Sequence, residues 1–582
     1  MQVEFNRIFK IIFLISLIGF LGFVIDFGFL LSPQNQEFLS KYFFFALVVG
    51  ITSTVLKYFT KSKVLKFNVI AFDAAHIALI LLVLYYYFHL EMSSEGAKHW
   101  HSSFFVQLAV VWMFVREYSY LKINFKRTFL NPAQLFILSF LFIIITGSLL
   151  LMLPNCTHHG ISFLNALFTS ASAVCVTGLA VVDTGTYFTQ FGQYVIMMLI
   201  QIGGLGILTF ASYFSYFFKG GSSYENQLVL GEMNNADKIG EVFSIIKNII
   251  LITFIIELIG AIMIFISINQ VHFNTLHDKI FFSAFHSVSA FCNAGFSTLT
   301  NSMYETGFRY NYFLHTNIIL LLVLGGLGFP IVVNMLNYFK YKFLRLFHHS
   351  AKRNKHRTWV INLNSRITLI TTISLTVIAT ALFFGIEYKN VLVEHHGIGK
   401  LVTAVFLAAS PRTAGFNSVD MASLHISTIM ITCLLMWIGA SPASTGGGIK
   451  TSTFAIAILN FMSLAKGKSR IEIYRREIAD ISVRRAFAVI FLSLFVIGLG
   501  ILVISISDSE KNLLSIAFEC FSAYGTVGLS LGITASLSAV GKFVIIMIMF
   551  IGRVSMLSIM IAIINKVKHK NYRYPTEEIL IN

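Results

Sequence analysis

The stretch Cys175-Val-Thr-Gly178-Leu-Ala180 determines how the whole chain is interpreted, because a version of it occurs four times. Aligned on their central glycines, the other copies are Cys292-Asn-Ala-Gly295-Phe-Ser297, Arg412-Thr-Ala-Gly415-Phe-Asn417 and Gly525-Thr-Val-Gly528-Leu-Ser530. Successive glycines are 117, 120 and 113 residues apart, so the repeat keeps its period over most of the chain. Four copies of a short glycine-centred loop in an apolar chain indicate four segments arranged around one axis.

The residues before each loop repeat as well. In three copies a serine lies six residues before the glycine and a phenylalanine ten residues before it, namely Ser172 and Phe168, Ser289 and Phe285, and Ser522 and Phe518. The third copy departs from this pattern, with Ala409 at the serine position and Phe406 nine residues before its glycine. The repeat unit is therefore longer than the loop itself.

Each copy has the same order of segments: a long apolar helix, a short apolar stretch, the glycine loop and a second long apolar helix. The predicted segments of the four copies are, in order, Gln134–Leu153, Phe163–Val174 and Tyr194–Phe218; Ile245–Ile268, Lys279–Phe291 and Phe313–Phe339; Ile367–Phe384, Ile398–Ser410 and His425–Phe461; and Phe487–Ile506, Leu513–Tyr524 and Val540–Ile564. The short stretches cannot cross the hydrocarbon core, so they enter and leave on the same side. Irregular backbone at membrane depth survives only where it is buried or lines a water-filled cavity, which predicts a pore.

Composition places the chain in a membrane. Of its 582 residues, 56% are hydrophobic and 12% are charged, and the mean hydropathy is +0.77, which excludes a soluble domain of this size. Four further apolar runs, at 8–31, 42–59, 67–90 and 104–121, precede the repeats; the first lacks a convincing cleavage site and is interpreted as a retained helix. We therefore predict an all-α integral membrane protein of twelve spanning segments, with four membrane–pore–membrane repeats in a pseudo-fourfold arrangement and an N-terminal four-helix transmembrane extension.

The unit boundaries follow from this order of segments. The extension is predicted over residues 1–130. The four repeats are predicted over 131–232, 233–345, 346–465 and 466–582, and the last of these includes a cytoplasmic C-terminus.

The net charge of +17 is distributed as an orientation signal rather than as a nucleic-acid surface. Basic residues are concentrated at alternate junctions, as the positive-inside rule requires. These residues are Lys57, Lys61, Lys63, Lys66, Arg116, Lys122, Lys126 and Arg127 in the extension, Lys340, Lys342, Arg345, Lys352, Arg353, Lys355, Arg357 and Arg366 between copies two and three, and Lys466, Lys468, Arg470, Arg475, Arg476, Arg484 and Arg485 between copies three and four. The sequence therefore predicts cytoplasmic N- and C-termini, glycine loops that open outward, and no nucleic-acid partner.

The glycine loops have the chemistry of a filter for a monovalent cation. An ion that sheds its water needs polar but uncharged oxygens, so that it can bind and still leave. Backbone carbonyls supply such oxygens, glycine gives the backbone freedom to aim them, and the partially negative C-terminal ends of the short helices favour a cation. No carboxylate lies inside any of the four loops. The predicted filter residues are Val176, Thr177, Gly178, Asn293, Ala294, Gly295, Thr413, Ala414, Gly415, Thr526, Val527 and Gly528.

Several ionisable residues near these segments have two interpretations. Asp183 and Asp420, each five residues after a filter glycine, either draw cations to the pore mouth or cap the following turn. Asp73 and His76 lie one helical turn apart in an apolar run, and form either a functional intramembrane pair or a packed hydrogen bond.

Other features are interpreted as packing. Glu257 is predicted to make a helix contact, and Glu519 to brace its pore helix. Gly203–Gly206 and Gly325–Gly328 follow no strand, so they are interpreted as close helix packing rather than phosphate loops. The five cysteines show no metal-binding spacing, and Cys175 is expected to be a small packing residue behind its loop.

The stretches Ala173–Phe191, Gln201–Leu208, Phe291–Phe296, Arg412–Asn417, Gly439–Thr451 and Thr526–Ser530 resemble the Trk/Ktr/HKT superfamily of potassium transporters, of the KtrB/TrkH type. The resemblance covers roughly residues 131–565. It implies one potassium-conducting pore per subunit of a homodimer in the bilayer of the bacterial cytoplasmic (inner) membrane, with a cytosolic nucleotide-binding regulatory subunit of the KtrA/TrkA type. Glycine rather than serine at Gly178 implies K+ rather than Na+ as the preferred ion.

Two further features match this family. The run from Gly439 to Ile449 interrupts the last helix of the third copy with one proline and three consecutive glycines, which disfavour a helix. It resembles the family's intramembrane gating loop, whose residues here are Gly439, Ser441, Pro442, Ser444, Thr445, Gly446, Gly447 and Gly448. Arg553, inside the last apolar helix, matches the family arginine that lies in the pore below the filter. The family continues with Gly-Pro after the next valine, whereas this chain has Ser555 and Met556.

The leading hypothesis is gated, channel-like uptake of K+ through a four-loop carbonyl filter, with K+ as the transported ion and no covalently bound cofactor. A Na+-coupled K+ symporter or a Na+-selective relative stays open, because no residue identifies a coupling ion. A membrane-embedded enzyme is disfavoured, because the apolar segments contain no HExxH, nucleophile–base pair or paired acids. The sequence leaves open the driving force, the K+/Na+ selectivity ratio, the role of the N-terminal unit, and the identity of the regulatory subunit and its nucleotide.

Overall fold

The computed structural model describes residues 2–29, 31–60, 67–91, 104–120, 132–206, 242–329, 331–336, 338, 362–555 and 559–560. Regular structure in these ranges is helical, apart from a short hairpin in the basic segment between the third and fourth copies. The hairpin pairs β1 (Glu472–Ile473) with β2 (Arg476–Glu477). The predicted all-α class is therefore confirmed.

The N-terminal extension is a bundle of four helices. They are α1 (Gln2–Gly28), α2 (Pro33–Thr60), α3 (Phe67–Glu91) and α4 (Phe104–Tyr120). Their apolar core includes Phe43, Leu47, Ile80, Val83 and Val110. The predicted four helices of this unit are thus present.

A network of buried charges joins α2, α3 and α4 at one end of the bundle. Arg116 Nε donates to Asp73 Oδ1 at 2.8 Å, and Lys57 Nζ donates to Glu117 Oε2 at 2.9 Å. Lys57 and Arg116 are 5% and 1% exposed, so counting them with the loop charges is wrong. Burying an unpaired ion costs several kcal/mol, which is why these residues occur as oppositely charged pairs. Asp73 accepts from Arg116 and from Tyr58 (3.0 Å), and neither ring nitrogen of His76 has a hydrogen-bond partner among the described residues.

The extension contacts the repeats through the C-terminal end of α1. Asn155 Nδ2 donates to the Phe27 carbonyl at 2.9 Å, and the rings of Phe27 and Phe191 stack with centroids 5.2 Å apart. Phe191 belongs to the helix that follows the first filter loop, so the extension is packed against repeat 1.

Each repeat has a first helix, a short pore helix and a second helix. The first helices are α5 (Pro132–Leu151), α8 (Val242–Ser267), α11 (Leu363–Glu387) and α15 (Asp480–Ser507). The pore helices are α6 (Phe163–Val174), α9 (Leu276–Phe291), α12 (Ile398–Ala409) and α16 (Leu513–Gly525). The second helices are α7 (Gln190–Gly204), α10 (Tyr312–Leu327), α13 (Ile426–Trp437) and α17 (Ala539–Val554), and α14 (Thr451–Ala465) continues the third repeat beyond a break.

Polar residues fix where these helices begin. Side chains of Ser162, Thr275 and Asn512 accept a hydrogen bond from the first turn of the pore helices α6, α9 and α16. Thr189, Asn311 and Ser538 cap the second helices α7, α10 and α17 in the same way. Such caps pair backbone N–H groups that would otherwise lack a partner.

The four repeats close into a ring. Each second helix packs against the pore helix of the next repeat, with α7 on α9, α10 on α12, α13 on α16, and α17 on α6. This cyclic pattern is the predicted pseudo-fourfold arrangement, and it brings the four pore helices together at the centre of the molecule.

The second helices are shorter than the sequence predicts. The sequence predicts uninterrupted helices over Tyr194–Phe218, Phe313–Phe339 and Val540–Ile564, but α7, α10 and α17 end at Gly204, Leu327 and Val554. A left-handed residue follows each of them, namely Gly206 (φ 81°), Gly328 (φ 84°) and Ser555 (φ 74°). A residue at positive φ cannot continue a right-handed helix. Within the described residues, the interruption predicted for the third repeat is therefore matched by a helix end at the corresponding point of the other three.

Five described helices are long and apolar enough to cross a membrane, over Phe9–Gly28, Pro33–Tyr58, Lys247–Ser267, Leu363–Glu387 and Asp480–Ser507. The total of twelve spans stays a prediction. Residues 61–66, 92–103, 121–131, 207–241, 339–361, 556–558 and 561–582, which include most of the basic clusters and the ends of several predicted helices, lie outside the described residues.

Candidate ion-conducting site

The four filter glycines face one another around a common axis. A Cβ added to any of them would meet the carbonyl oxygen of the residue that precedes the next glycine. The distances are 2.4 Å from Gly178 to Ala294, 2.9 Å from Gly295 to Ala414, 2.1 Å from Gly415 to Val527 and 2.2 Å from Gly528 to Thr177. The ring closes after four steps, in the order of the repeats. Side chains at these positions would push neighbouring loops apart, which explains why glycine recurs.

Each loop also contains a second left-handed residue. The residues two before the glycines have φ values of 58°, 60°, 68° and 48° at Val176, Asn293, Thr413 and Thr526. A non-glycine residue in this conformation costs roughly 1–2 kcal/mol. Its occurrence at four equivalent positions indicates a backbone conformation that the surrounding structure imposes.

Serines on the pore helices hold the loops in this conformation. The Ser172 carbonyl accepts from Thr177 N at 2.8 Å, and its hydroxyl accepts from Gly178 N at 3.1 Å. Ser522 makes the same two bonds to the fourth loop, at 2.9 and 3.1 Å. Ser289 accepts from Ala294 N at 2.7 Å and donates its hydroxyl to the Phe296 carbonyl at 2.7 Å.

The third loop uses a serine one residue later. Its carbonyl accepts from Ala414 N at 2.9 Å, and the Ser410 hydroxyl donates to the Phe416 carbonyl. Alignment on Gly415 puts Ala409 at the serine position, which suggests that this repeat has lost its serine. That interpretation is wrong, because Ser410 makes the equivalent hydrogen bonds. Counted from this serine, the segment that leads to the glycine is one residue shorter here, which also explains the offset of Phe406.

The loop between α13 and α14, residues 438–450, folds back on itself beneath the filter. Ile438 and Ile449 form a parallel bridge, so the chain enters and leaves at one level. Ser441 N donates to the Gly326 carbonyl at 3.0 Å, and Thr445 N to that of Gly325 at 3.4 Å. The loop is therefore fixed to the end of α10, in repeat 2.

The same loop touches the bases of the filter loops. Gly447 N donates to Thr526 Oγ1 at 2.9 Å, and Thr445 Oγ1 bonds to Asn293 Oδ1 at 3.1 Å. Asn293 Nδ2 in turn lies 3.4 Å from Thr413 Oγ1. A Cβ on Gly446 would lie 2.1 Å from Thr413 Oγ1, so glycine allows the close approach. Three of the four left-handed filter residues thus contact this loop or each other.

Arg553 joins this loop to the first repeat. Its Nη1 donates to the Thr445 carbonyl and its Nη2 donates to the Gly203 carbonyl. A side chain from repeat 4 therefore bridges the loop of repeat 3 and the second helix of repeat 1. All the predicted gate residues that the sequence singles out, including Arg553, meet in this one region.

Comparison with known proteins agrees with this geometry. The family model TrkH, described as a cation transport protein, matches residues 101–573. The chain belongs to the TrkH family of cation transport proteins.

Individual relatives extend the comparison. The Ktr system potassium uptake protein B of Bacillus subtilis is 39% identical over 451 residues, which cover 77% of this chain and 96% of the relative. The potassium/sodium uptake protein NtpJ of Enterococcus hirae is 35% identical over 461 residues, covering 78% and 97%. Nearly the whole of each relative is therefore represented in this TrkH-family chain.

A solved structure shows the same fold. The potassium transporter TrkH from Vibrio parahaemolyticus superposes with a TM-score of 0.58, covering 84% of this chain and 96% of that one, at 15% identity. The pseudo-fourfold arrangement of repeats is thus the fold of a TrkH-family membrane protein.

The glycine pairs in the second helices have a role in this TrkH-family fold that the sequence indicates only as packing. The first glycine of each pair lies under the last carbonyl of its pore helix, and Gly552 of repeat 4 lies under the second-last carbonyl. A Cβ would lie 2.1 Å from the Val174 oxygen at Gly203, 1.9 Å from the Phe291 oxygen at Gly325 and 2.1 Å from the Tyr524 oxygen at Gly552. The predicted close packing is therefore confirmed at Gly203 and Gly325 but not at Gly206, which has nothing within 4 Å, and it extends to Gly552.

The sequence pattern does not single out Lys450, and it does not identify the partners of Glu257. Lys450 Nζ donates to the Gly446 carbonyl at 2.6 Å, which places a second cation beside the loop and within the electrostatic reach of Arg553. Glu257 accepts from Gln201 Nε2 at 3.0 Å and from the Cys292 thiol at 3.6 Å. The predicted helix contact of Glu257 is confirmed, and it includes the second filter loop.

At the filter end of the protein, acidic residues cap turns. Asp183 accepts from Thr186 N at 2.8 Å, and Asp420 accepts from Ala422 N at 3.1 Å, so both make the capping bonds that the sequence leaves as one of two alternatives. Asp508 accepts from Ser538 N and Oγ, at 2.8 and 2.7 Å. Burial alone would raise the pKa of Asp508, but the bonds from Ser507 and Ser538 and the charge of Lys511 outweigh it and lower the pKa.

Proposed function

We propose that this protein takes up K+ across the bacterial cytoplasmic membrane through a gated pore on the axis of the four repeats. The observation that carries the proposal is the closed ring of four glycines, each packed on the carbonyl that precedes the next. An axis lined by backbone oxygens without carboxylates suits a dehydrated monovalent cation. Relatives named as potassium uptake proteins, at up to 39% identity, support K+ as the ion.

In this proposal the backbone carbonyls of the four loops form the selectivity filter. The participating residues are Val176, Thr177, Gly178, Asn293, Ala294, Gly295, Thr413, Ala414, Gly415, Thr526, Val527 and Gly528. K+ is the transported substrate and not a resident cofactor. The pore helices direct their C-terminal, partially negative ends towards the loops, which stabilises a cation between them.

The gate in this proposal is the loop that contains Gly439, Ser441, Pro442, Ser444, Thr445, Gly446, Gly447 and Gly448, together with Arg553. The loop lies directly beneath the filter, and Arg553 bonds it to repeat 1. Conduction requires the loop to move aside, which breaks the two bonds of Arg553. The positive charge of Arg553 additionally opposes a cation in the pore until that movement occurs.

A second candidate is a transporter that also carries or couples to Na+. One relative, at 35% identity, is named a potassium/sodium uptake protein, which is the observation in favour. Glycine at Gly178 favours K+ selectivity under the resemblance stated above. An enzymatic role has no support from the family, whose description is cation transport.

The assembly and orientation belong to the same proposal. We propose a homodimer in the inner membrane, with both termini cytoplasmic and the filter facing outward, and a cytosolic nucleotide-binding subunit of the KtrA/TrkA type as regulator. Relatives named as parts of a Ktr system support a partner subunit. Residues 1–130 would form an accessory unit ahead of repeats at 131–232, 233–345, 346–465 and 466–582.

Two experiments test the function. Expression in a cell that lacks K+ uptake systems should restore growth at low external K+. The purified protein in liposomes should conduct K+ in preference to Na+ under an imposed membrane potential. A protein present in the membrane that neither restores growth nor conducts K+ would contradict the proposal, and a flux that requires a Na+ gradient would favour the second candidate.

A further inference from the structure

Two of the four filter loops make an additional side-chain hydrogen bond to their pore helices. In repeat 2, His286 Nε2 lies 2.9 Å from Ser297 Oγ. In repeat 4, the Ser530 hydroxyl donates to Glu519 Oε1. Both pore-helix residues lie nine positions before the filter glycine, and both serines lie two positions after it. His286 and Glu519 are 0% and 1% exposed, so these are buried polar contacts directly behind the filter.

The serines are bound in the same way in both repeats. Ser297 Oγ accepts from Leu299 N at 3.0 Å, and Ser530 Oγ accepts from Gly532 N at 2.8 Å. Each hydroxyl therefore has its single proton available for the pore helix. His286 Nδ1 lies 2.9 Å from the Phe282 carbonyl, which can only accept. In a neutral ring the proton therefore lies on Nδ1, and Nε2 accepts from Ser297.

The other two loops cannot make this contact. In repeat 1 the equivalent residues are Thr169 and Ala180; alanine has no hydroxyl, and Thr169 donates to the Asn165 carbonyl of its own helix at 3.0 Å. In repeat 3, allowing for its one-residue offset, they are Leu407 and Asn417. Leucine offers no acceptor, and Asn417 donates to the Val419 carbonyl at 3.3 Å.

The two loops that make this additional hydrogen bond, those of repeats 2 and 4, lie opposite each other. The glycine contacts run in the order of the repeats, so loops 2 and 4 face across the axis and loops 1 and 3 form the other diagonal. We infer that His286 and Glu519 are positioning residues that hold the segments after Gly295 and Gly528, so that discrimination between K+ and Na+ depends on one diagonal of the filter. Selection by cavity size or by the number of oxygens requires loops at a defined separation. The inference rests on the proposed function, because it assumes that these loops conduct ions.

The test compares ion discrimination in variants of the full chain reconstituted in liposomes. Ser297→Ala and Ser530→Ala each remove only the serine hydroxyl, and with it the hydrogen bond to the pore helix. We expect each to lower the K+/Na+ flux ratio about three- to tenfold, as loss of one buried hydrogen bond allows, while total cation flux is retained. Glu519→Gln keeps an oxygen that can accept from Ser530 and should preserve the ratio, whereas Glu519→Met should lower it as Ser530→Ala does. Thr169→Val, at the equivalent position of repeat 1, is the matched control and should leave the ratio unchanged.

The outcomes separate this inference from the proposed function. A wild-type protein that conducts no K+ would overturn both. A wild-type protein that discriminates K+ from Na+, with an unchanged ratio in Ser297→Ala and Ser530→Ala, would overturn the inference alone. An equal loss of K+ and Na+ flux, or a similar drop in Thr169→Val, would also overturn it, because the contacts would then support the fold and not the selectivity of one diagonal.

Discussion

Replacing Arg553 tests whether the loop beneath the filter is a gate. The guanidinium fork donates to the carbonyls of Thr445 and Gly203, so one side chain fixes the loop to a different repeat. Arg553→Met removes both bonds and the charge while keeping an unbranched side chain. Arg553→Lys keeps the charge but has a single ammonium in place of the planar fork.

The size of the effect follows from the two bonds. A hydrogen bond that involves a charged group contributes about 1.5–3 kcal/mol, so the pair stabilises the bridged arrangement by about 3 kcal/mol at the lower end of that range. Every 1.4 kcal/mol corresponds to about a tenfold change in an equilibrium, so Arg553→Met should raise the conducting population by up to about 100-fold. Bonds that do not involve Arg553, such as Gly447 N to Thr526, remain and limit the increase.

The assay is uptake of radioactive rubidium into liposomes at a fixed membrane potential, normalised to the amount of reconstituted protein. We expect Arg553→Met to conduct faster than the wild type until the conducting population saturates. If the bridge holds the gate, Arg553→Lys should lie between the two, with up to about a tenfold increase from loss of one bond. If the charge alone opposes the ion, Arg553→Lys should match the wild type.

Flux in Arg553→Met that equals the wild-type flux would refute this reasoning. Arg553 would then stabilise the packing of repeats without limiting conduction. A lower flux in a correctly folded variant would also refute it, because the bridge would then support the conducting arrangement.

Three further predictions concern other parts of the molecule. Gly178→Ser places a Cβ 2.4 Å from the Ala294 carbonyl oxygen and should lower the K+/Na+ flux ratio. The control Gly498→Ser, at a position where nothing lies within 4 Å, should leave the ratio unchanged. An unchanged ratio in Gly178→Ser would remove Gly178 from the filter. Asp508→Asn should lower the free energy of unfolding by about 1 kcal/mol at about pH 7 through loss of a capping bond. Because folding lowers the Asp508 pKa, its stabilisation is fully present above the ordinary value of 3.8 and is lost as the pH falls from there through the lower pKa of the folded state. Thermal melts of variant and wild type should therefore converge in acid, and a constant difference would contradict the assignment. Removal of residues 1–130 should leave K+ uptake in liposomes intact. The reason is that two relatives align over 96–97% of their own length and yet match only 77–78% of this chain. Loss of uptake by a stable truncated protein would make the extension part of the transport machinery.

The sequence predicts the ring of loops because glycine is required there by backbone contact alone. Gly178, Gly295, Gly415 and Gly528 each touch a neighbouring carbonyl, so no other residue fits, and the period remains visible. The pore helices are equally predictable, because each of these apolar stretches is too short to span the membrane. The sequence does not predict features that depend on backbone geometry and not on residue type. The main example is the end of the helix before Ser555, where a serine takes a left-handed conformation.

Contacts between residues that lie far apart in the chain also cannot be predicted from the sequence. Lys57 and Arg116 look like orientation charges at helix ends, and only the approach of Asp73 and Glu117 shows that they are buried pairs. The partners of Arg553 lie 108 and 350 residues away along the chain, so its position predicts a role in the pore but no bridge.

The irregularities of the third repeat have a common structural cause. In repeats 1, 2 and 4 a glycine of the second helix packs under a carbonyl at the C-terminal end of its own pore helix, but in repeat 3 Gly439 packs on the Gly447 carbonyl and Gly446 packs on Thr413. The folded-back loop therefore occupies the place where the second helix meets the filter in the other repeats. The shorter connection from Ser410 to Gly415 accompanies this replacement. We infer that the offset in the repeat pattern and the interruption of the helix are one adaptation, in which one of four equivalent positions accommodates the proposed gate while the glycine ring above it stays closed.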